Sequence, residues 1–217
     1  MLALAGSRAY YRTVGHGVAH CERCGGDRPY RQRSGRRWFQ LLGIPVVPGD
    51  SAGEHLRCTV CRTCYRVDLL AVPTVEQMRV ALRAATTAAA LAMLWAGGKA
   101  SPAARQRAVE LIMTAGSPEY CESQLAVALA AARPVAAASL TCGPVPGLKP
   151  AIETFAIQLE AQAAEWFLAR VLQVGLADGA LSAVERDVAG TIARYLGMTR
   201  ARARDVISVA EAAAQAG

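Results

Sequence analysis

Cys21-Glu22-Arg23-Cys24 and, after 33 intervening residues, Cys58-Thr59-Val60-Cys61-Arg62-Thr63-Cys64 hold five of the seven cysteines of this 217-residue chain. A Cys-x-x-Cys pair on a tight turn aims two thiols at one point, and two such knuckles supply the four sulfur ligands of a tetrahedral structural zinc ion. The symmetric ligand set is Cys21, Cys24, Cys58 and Cys61, which leaves Cys64 free. Exchanging Cys64 for Cys58 or Cys61, or admitting His20 or His55, gives the alternatives. A dithiol redox pair would instead need a Cys-x-x-Cys opening a helix beside a βαβ unit, and no such pattern is visible.

Working outward, Gly25 and Gly26 supply the positive φ that a knuckle turn commonly needs. Residues 2–14 fit a leading strand. Between the knuckles, Trp38, Phe39, Leu41, Leu42, Ile44, Val46 and Val47 form the densest apolar patch. Pro45 and Pro48 break it into short extended pieces, and it is expected to pack behind the metal. Residues 1–70 therefore read as a small β-rich zinc ribbon, too rich in Gly, Arg and Pro to build a core without an ion.

Charge follows the same division. Residues 1–70 carry 11 Arg and 5 acidic side chains, and the rest of the chain is nearly balanced at 13 basic and 12 acidic. A basic module can meet a phosphate backbone, so nucleic acid is one candidate partner, with Tyr30, Trp38 or Phe39 stacking on unpaired bases. A solvated basic surface is the plainer reading. The longest uncharged helical run, between Arg83 and Lys99, has 15 residues, fewer than the roughly 18 needed to cross a bilayer. No segment reads as a signal peptide, and the expected location is the cytoplasm.

Beyond residue 70 the periodicity is helical. Thr74-Val75-Glu76-Gln77 is a capping box that opens a helix to about Trp95. Ser101-Pro102 starts a second helix, stopped by Gly116, and Ser117-Pro118 starts a third that runs to about Ala132. Cys142 to Pro150 reads as a connection. A long amphipathic helix follows from about Ile152, then Ser182-Ala183-Val184-Glu185 as a second capping box, and Thr199 as the cap of a last helix. At an offset of 81 residues Gly98 falls on Gly179, Ser101 on Ser182, Arg105 on Arg186 and Gly116 on Gly197. This predicts a mainly α fold: residues 71–217 as an all-helical domain of two three-helix repeats, about 74–132 and 152–215.

Only the second repeat carries carboxylates at the turn, Asp178 and Glu185, where the first has Gly97 and Ala104. With Asp187 or Glu165 they could begin the oxygen shell of Ca2+ or another divalent cation, although Asp178-Gly179 is also an ordinary turn and Glu185 a capping residue.

Leu176-Ala177-Asp178-Gly179-Ala180-Leu181-Ser182-Ala183-Val184-Glu185-Arg186, followed by Ile192-Ala193-Arg194-Tyr195-Leu196-Gly197, resembles the signature of the TerB-like tellurite-resistance family. Gly6-Ser7-Arg8, the two knuckles, Trp38-Phe39, Ile44-Pro45 and Pro48 resemble the zinc-ribbon module fused ahead of some bacterial TerB-like domains. The resemblance implies a duplicated helical domain, an acidic metal site at Asp178 and Glu185, and a stress-response role within larger complexes at the membrane. The chain shows no Ser/His/Asp set, phosphate-cradling loop or nucleotide motif, and its three histidines all lie in the first 70 residues. The expectation is a non-enzymatic metal-binding adaptor or sensor with protein partners, a second copy of itself among the possible ones.

Overall fold

The computed structural model describes residues 5–98, 101–138, 147–157 and 159–216. The chain divides into two compact units, Met1–Met78 and Arg79–Gly217.

The first unit is an antiparallel meander of four strands in sequence order: β1 (Ala5–Cys21), β2 (Gly26–Leu41), β3 (Ile44–Cys58) and the short β4 (Cys64–Tyr65). β1 runs beside β2 from Cys21↔Gly26 to Ala5↔Leu41, with an irregularity between Thr13 and Gly15. β2 turns into β3 through Leu42-Gly43, whose φ values of 52° and 83° supply the two positive φ angles that a type I′ hairpin requires. Pro45 and Pro48 sit where the β2–β3 register shifts, which is how strand prolines are accommodated.

Alternation gives this sheet two unlike faces. Gln32, Leu56 and Tyr65 share one row across β2, β3 and β4, and Leu56 is fully buried there. On the other face Arg31 stands opposite Arg57 and Arg33 opposite His55. Among the described residues of the β unit the buried apolar ones are Ala19, Cys21, Leu56 and Cys58. So small a core cannot by itself offset the conformational entropy of ordering the strands, which leaves a stabilising role for the cysteines.

The second unit is helical: α1 (Val75–Ala96, beginning just before the boundary), α2 (Pro102–Thr114), α3 (Glu122–Ala138), α4 (Leu148–Ala156), α5 (Ala161–Gly175), α6 (Ala183–Tyr195) and α7 (Arg200–Ala216). Met93, Ile112, Leu125, Leu148, Ile152, Leu168, Leu172 and Ile192 are the largest fully buried aliphatic and thioether side chains among its described residues, with Ala85, Ala89, Ala108 and Ala189 letting backbones approach. The caps form as their chemistry dictates. Thr74 and Gln77 exchange hydrogen bonds, Ser101 Oγ accepts from the Ala104 amide at 3.0 Å with Pro102 in the first turn, and Ser182 and Glu185 complete a capping box.

Several expectations are corrected. The fold is not a mainly α, duplicated one with a small ribbon in front: three strands of 15 to 17 residues make it α+β. Among the described residues the helical part has three helices before residue 139 and four after 146. Apart from Arg105 and Arg186, which lie within α2 and α6, the positions that matched at the offset are helix-boundary residues. Ser101 and Ser182 cap, while Gly116 and Gly197 take positive φ, local devices that unrelated helices share. The long amphipathic helix expected from Ile152 is broken after Ala156, and the break lets Phe155 of α4 pack on Phe167 of α5 with ring centres 5.4 Å apart. Ser117 begins a turn closed by the Tyr120 amide, and α3 starts only at Glu122. The patch from Trp38 to Val47 does not pack behind the metal. It forms the hairpin end remote from the cysteines and is largely exposed. Cys142 lies outside the described residues.

Candidate metal centre

The centre forms where β1 and β3 end side by side on either edge of β2. Cys21 is the last residue of β1, and a single 3-10 turn, Glu22–Cys24, carries the chain to Gly25, which takes φ 65° while its amide donates to the Glu22 carbonyl. Cys58 ends β3, and Arg62 takes φ 62° as its amide donates to the Cys58 carbonyl at 3.1 Å. In both knuckles the residue after the second cysteine is left-handed. Glycine adopts this freely, and Arg62 holds it because the turn is pinned: the Cys58 amide donates to the Thr63 carbonyl, and the Thr59 amide and hydroxyl both donate to the Pro29 carbonyl at 3.0 Å.

One sulfur from each of Cys21, Cys24, Cys58 and Cys61 lies within 4.8 Å of all the others. Cys21 Sγ and Cys61 Sγ are 3.6 Å apart, close to the ~3.8 Å edge of a tetrahedron with 2.3 Å metal–sulfur bonds. Cys21 and Cys58 are buried and the other two half-buried. These four can hold a metal ion such as zinc.

The surrounding groups act differently on the four thiols. The Tyr65 hydroxyl, 3.1 Å from Cys21 Sγ, favours the thiolate there and holds that pKa below its ordinary value. Hydrogen bonding with the Thr63 hydroxyl, 3.3 Å from the sulfur, and with the Thr63 backbone brings Cys61 down to about 6. Burial pushes Cys24 up to about 11, with the neighbouring sulfurs adding to the rise. Four crowded sulfurs cannot all ionise without compensation, and a divalent cation at their centre supplies it.

The other candidates lie elsewhere. Cys64 is exposed on β4 opposite Arg57, outside the tetrad. His20 Nδ1 is 3.6 Å from Asp27 Oδ1, and the His55 ring stands edge-on to Tyr11 at 4.8 Å. Cys121 is exposed at the start of α3. Asp178 is exposed in a 3-10 turn, whereas Glu185 is buried: its Oε2 accepts from the Ser182 amide at 2.7 Å, and its Oε1 sits where a Cβ on Gly97 or Gly175 would come within 3.0 or 3.2 Å. Among the described residues the tetrad is the one gathering of three or more His, Cys, Asp or Glu side chains able to share an ion.

Tyr65 was not legible as a partner of the centre, because its place depends on β4 pairing with Leu56 and not on cysteine spacing. Beside the centre, Arg31, Arg33, Arg57 and Arg62 line a cavity of about 430 Å3 with Thr13 and Thr59 and with no carboxylate. In the helical unit α2, α5 and α7 enclose a larger groove, about 940 Å3, in which Trp166 is 63% exposed. No described helix is long and apolar enough to cross a membrane.

Compared with protein-family models, with curated proteins and with solved structures, the chain gives no match.

Proposed function

We propose that this chain is a non-enzymatic adaptor whose β unit is stapled by one structural zinc ion. The observation that carries the reading is the tetrad itself. Four cysteine sulfurs this close can fill a tetrahedral shell by themselves, which would leave no open position for a substrate or water of the kind a catalytic zinc requires. The groove around Trp166 supports a docking role for the helical unit, since an exposed tryptophan in a concave surface is a common anchor for a protein partner. A divalent cation at Asp178 and Glu185 is part of the same proposal and would make the helical unit a sensor.

Elemental analysis of protein purified without chelator tests the staple. Zinc near one equivalent per chain, lost in Cys21→Ser and kept in Asp178→Ala, is the expected result. Reduced, freshly purified protein without zinc would return the cysteines to thiol chemistry.

The arginine cavity favours a second reading, nucleic-acid binding by the β unit. Arg31 and Arg57 face each other across two strands, a like-charge pair that costs stability unless an anion sits between them. Binding of mixed single-stranded DNA or RNA that weakens steeply with salt and in Arg31→Ala/Arg57→Ala supports it. No binding at low salt ends it.

A further inference from the structure

The end of the β2–β3 hairpin remote from the metal centre goes beyond the adaptor reading. Phe39, Leu41, Leu42, Ile44, Val46 and Val47 are 47 to 69% exposed there. Monomeric proteins rarely expose so many adjoining large apolar side chains without a use for them. From Phe39 to Val47 the one polar side chain is Gln40, whose amide reaches back to the Tyr10 hydroxyl. Since successive strand residues point to opposite faces, the tip is apolar on both.

That symmetry decides what can cover it. A flat partner or a second copy buries one face of a hairpin and leaves the other in water, whereas a bilayer surrounds both. Phe39 stands opposite Val47 and Leu41 opposite Ile44, so the two sides of the wedge match in depth. Pro45 and Pro48 offer no N–H on a strand whose outer edge has no paired neighbour at this level among the described residues, because β4 pairs only at Leu56 and Arg57. Fewer unpaired donors lower the cost of leaving water.

Behind the wedge stands a collar of arginines. Arg8 is opposite Trp38, Arg37 opposite Ala9 and Arg36 opposite Tyr10; all three arginines are exposed. No acidic residue occurs in residues 5–14 or 34–49. Trp38 and Tyr10, amphipathic side chains of the kind that settle at lipid headgroups, lie at the same level. From Trp38 to Leu42 the strand advances about 13 Å, which fits within one leaflet of a ~30 Å hydrocarbon core.

We propose that this hairpin tip inserts into one leaflet of an anionic bilayer, the arginine collar resting on lipid phosphates. The occupant is lipid: aliphatic side chains on both faces suit hydrocarbon and not a nucleic acid, and two copies meeting tip to tip would bring their collars together.

Co-sedimentation of the full chain with phosphatidylcholine vesicles, with and without phosphatidylserine, tests this. Binding is expected to the phosphatidylserine vesicles. It should fall at least about tenfold in Leu42→Asp/Ile44→Asp, since burial of each aliphatic side chain is lost. It should fall about fivefold for each of Arg36→Ala and Arg37→Ala. Both tip residues are exposed, and an unchanged circular dichroism spectrum of the variants verifies that the fold persists. Arg31→Ala/Arg57→Ala should bind vesicles as the wild type does, which separates the tip from the cavity beside the metal. Absence of vesicle binding, or binding indifferent to Leu42→Asp/Ile44→Asp, overturns the proposal. A wild-type dimer that this tip variant dissolves, with no vesicle binding, overturns it in favour of a second copy.

Discussion

The Tyr65 hydroxyl lies 3.1 Å from Cys21 Sγ and also accepts the Arg23 amide at 3.4 Å, so one side chain of β4 braces the first knuckle from outside the ligand set. Its own ionisation is pushed up by that bond to Cys21, which keeps it protonated and able to donate to the sulfur. Groups that orient metal ligands in this way tune affinity without touching the ion. Tyr65→Phe keeps the ring and removes the donor. We expect zinc affinity to fall by about tenfold in a chelator competition, with Cys64→Ser as the unaffected neighbour. Equal affinities in wild type and Tyr65→Phe would show that the brace is dispensable.

Glu185 tests the helical unit. Its buried carboxylate closes the capping box against Ser182. Glu185→Ala should cost about 1–2 kcal/mol and lower Tm by several degrees, read by thermal unfolding. Glu185→Gln, which retains an oxygen for the Ser182 amide, should recover most of the loss. The same pair judges the cation proposed at Asp178 and Glu185. A calcium-induced rise in wild-type Tm that vanishes in Glu185→Gln supports the ion, and no response in wild type removes it.

The two knuckles and most helix caps were readable from sequence because each is local chemistry: thiols two residues apart, a hydroxyl three residues before a Glu or Gln. What could not be read depended on distant pairing. β1 to β3 are rich in Gly, Arg and Pro, and their length comes from cross-strand registers that no single segment encodes. The apolar density from Trp38 to Val47 looks like a core until its position at a hairpin end is known. Amphipathic spacing continues through the break between α4 and α5, so periodicity conceals it. Arg62 hides its left-handed turn because its side chain carries no glycine signal.

The Glu165–Arg202 pair predicts an acid-dependent difference. Arg202 Nε and Nη2 donate to the two carboxylate oxygens at 2.5 and 2.7 Å and tie α7 to α5. This contact, foremost among the causes, holds the Glu165 carboxyl below its ordinary value. A depressed carboxylate contributes stability above its unfolded pKa, roughly 4.3, and loses it as pH falls through the folded value. Wild type should therefore melt above Glu165→Gln at pH 7, with the gap closing in acid. A gap that stays constant down to pH 3 would contradict the assignment.

Cys121 offers a chemical readout. Its thiol is exposed and its pKa is lowered, chiefly by the Ser123 hydroxyl at 3.0 Å. Ser123→Ala should slow alkylation of Cys121 by iodoacetamide at neutral pH, followed by peptide mass spectrometry. An unchanged rate would leave the hydroxyl without influence on the thiolate.

The cysteine tetrad also offers a zero mark. A strand slipped by one residue against its neighbour turns every side chain over, which here would send Arg31 and Arg33 to the covered side and Gln32 to the open one. Long strands with few bulky side chains do little to forbid such slips. Cys21 and Cys58 sit on the two strands flanking β2, and their sulfurs meet only when both hairpins are in step. An ion joining them would therefore choose, for the whole length of the sheet, which surface is basic.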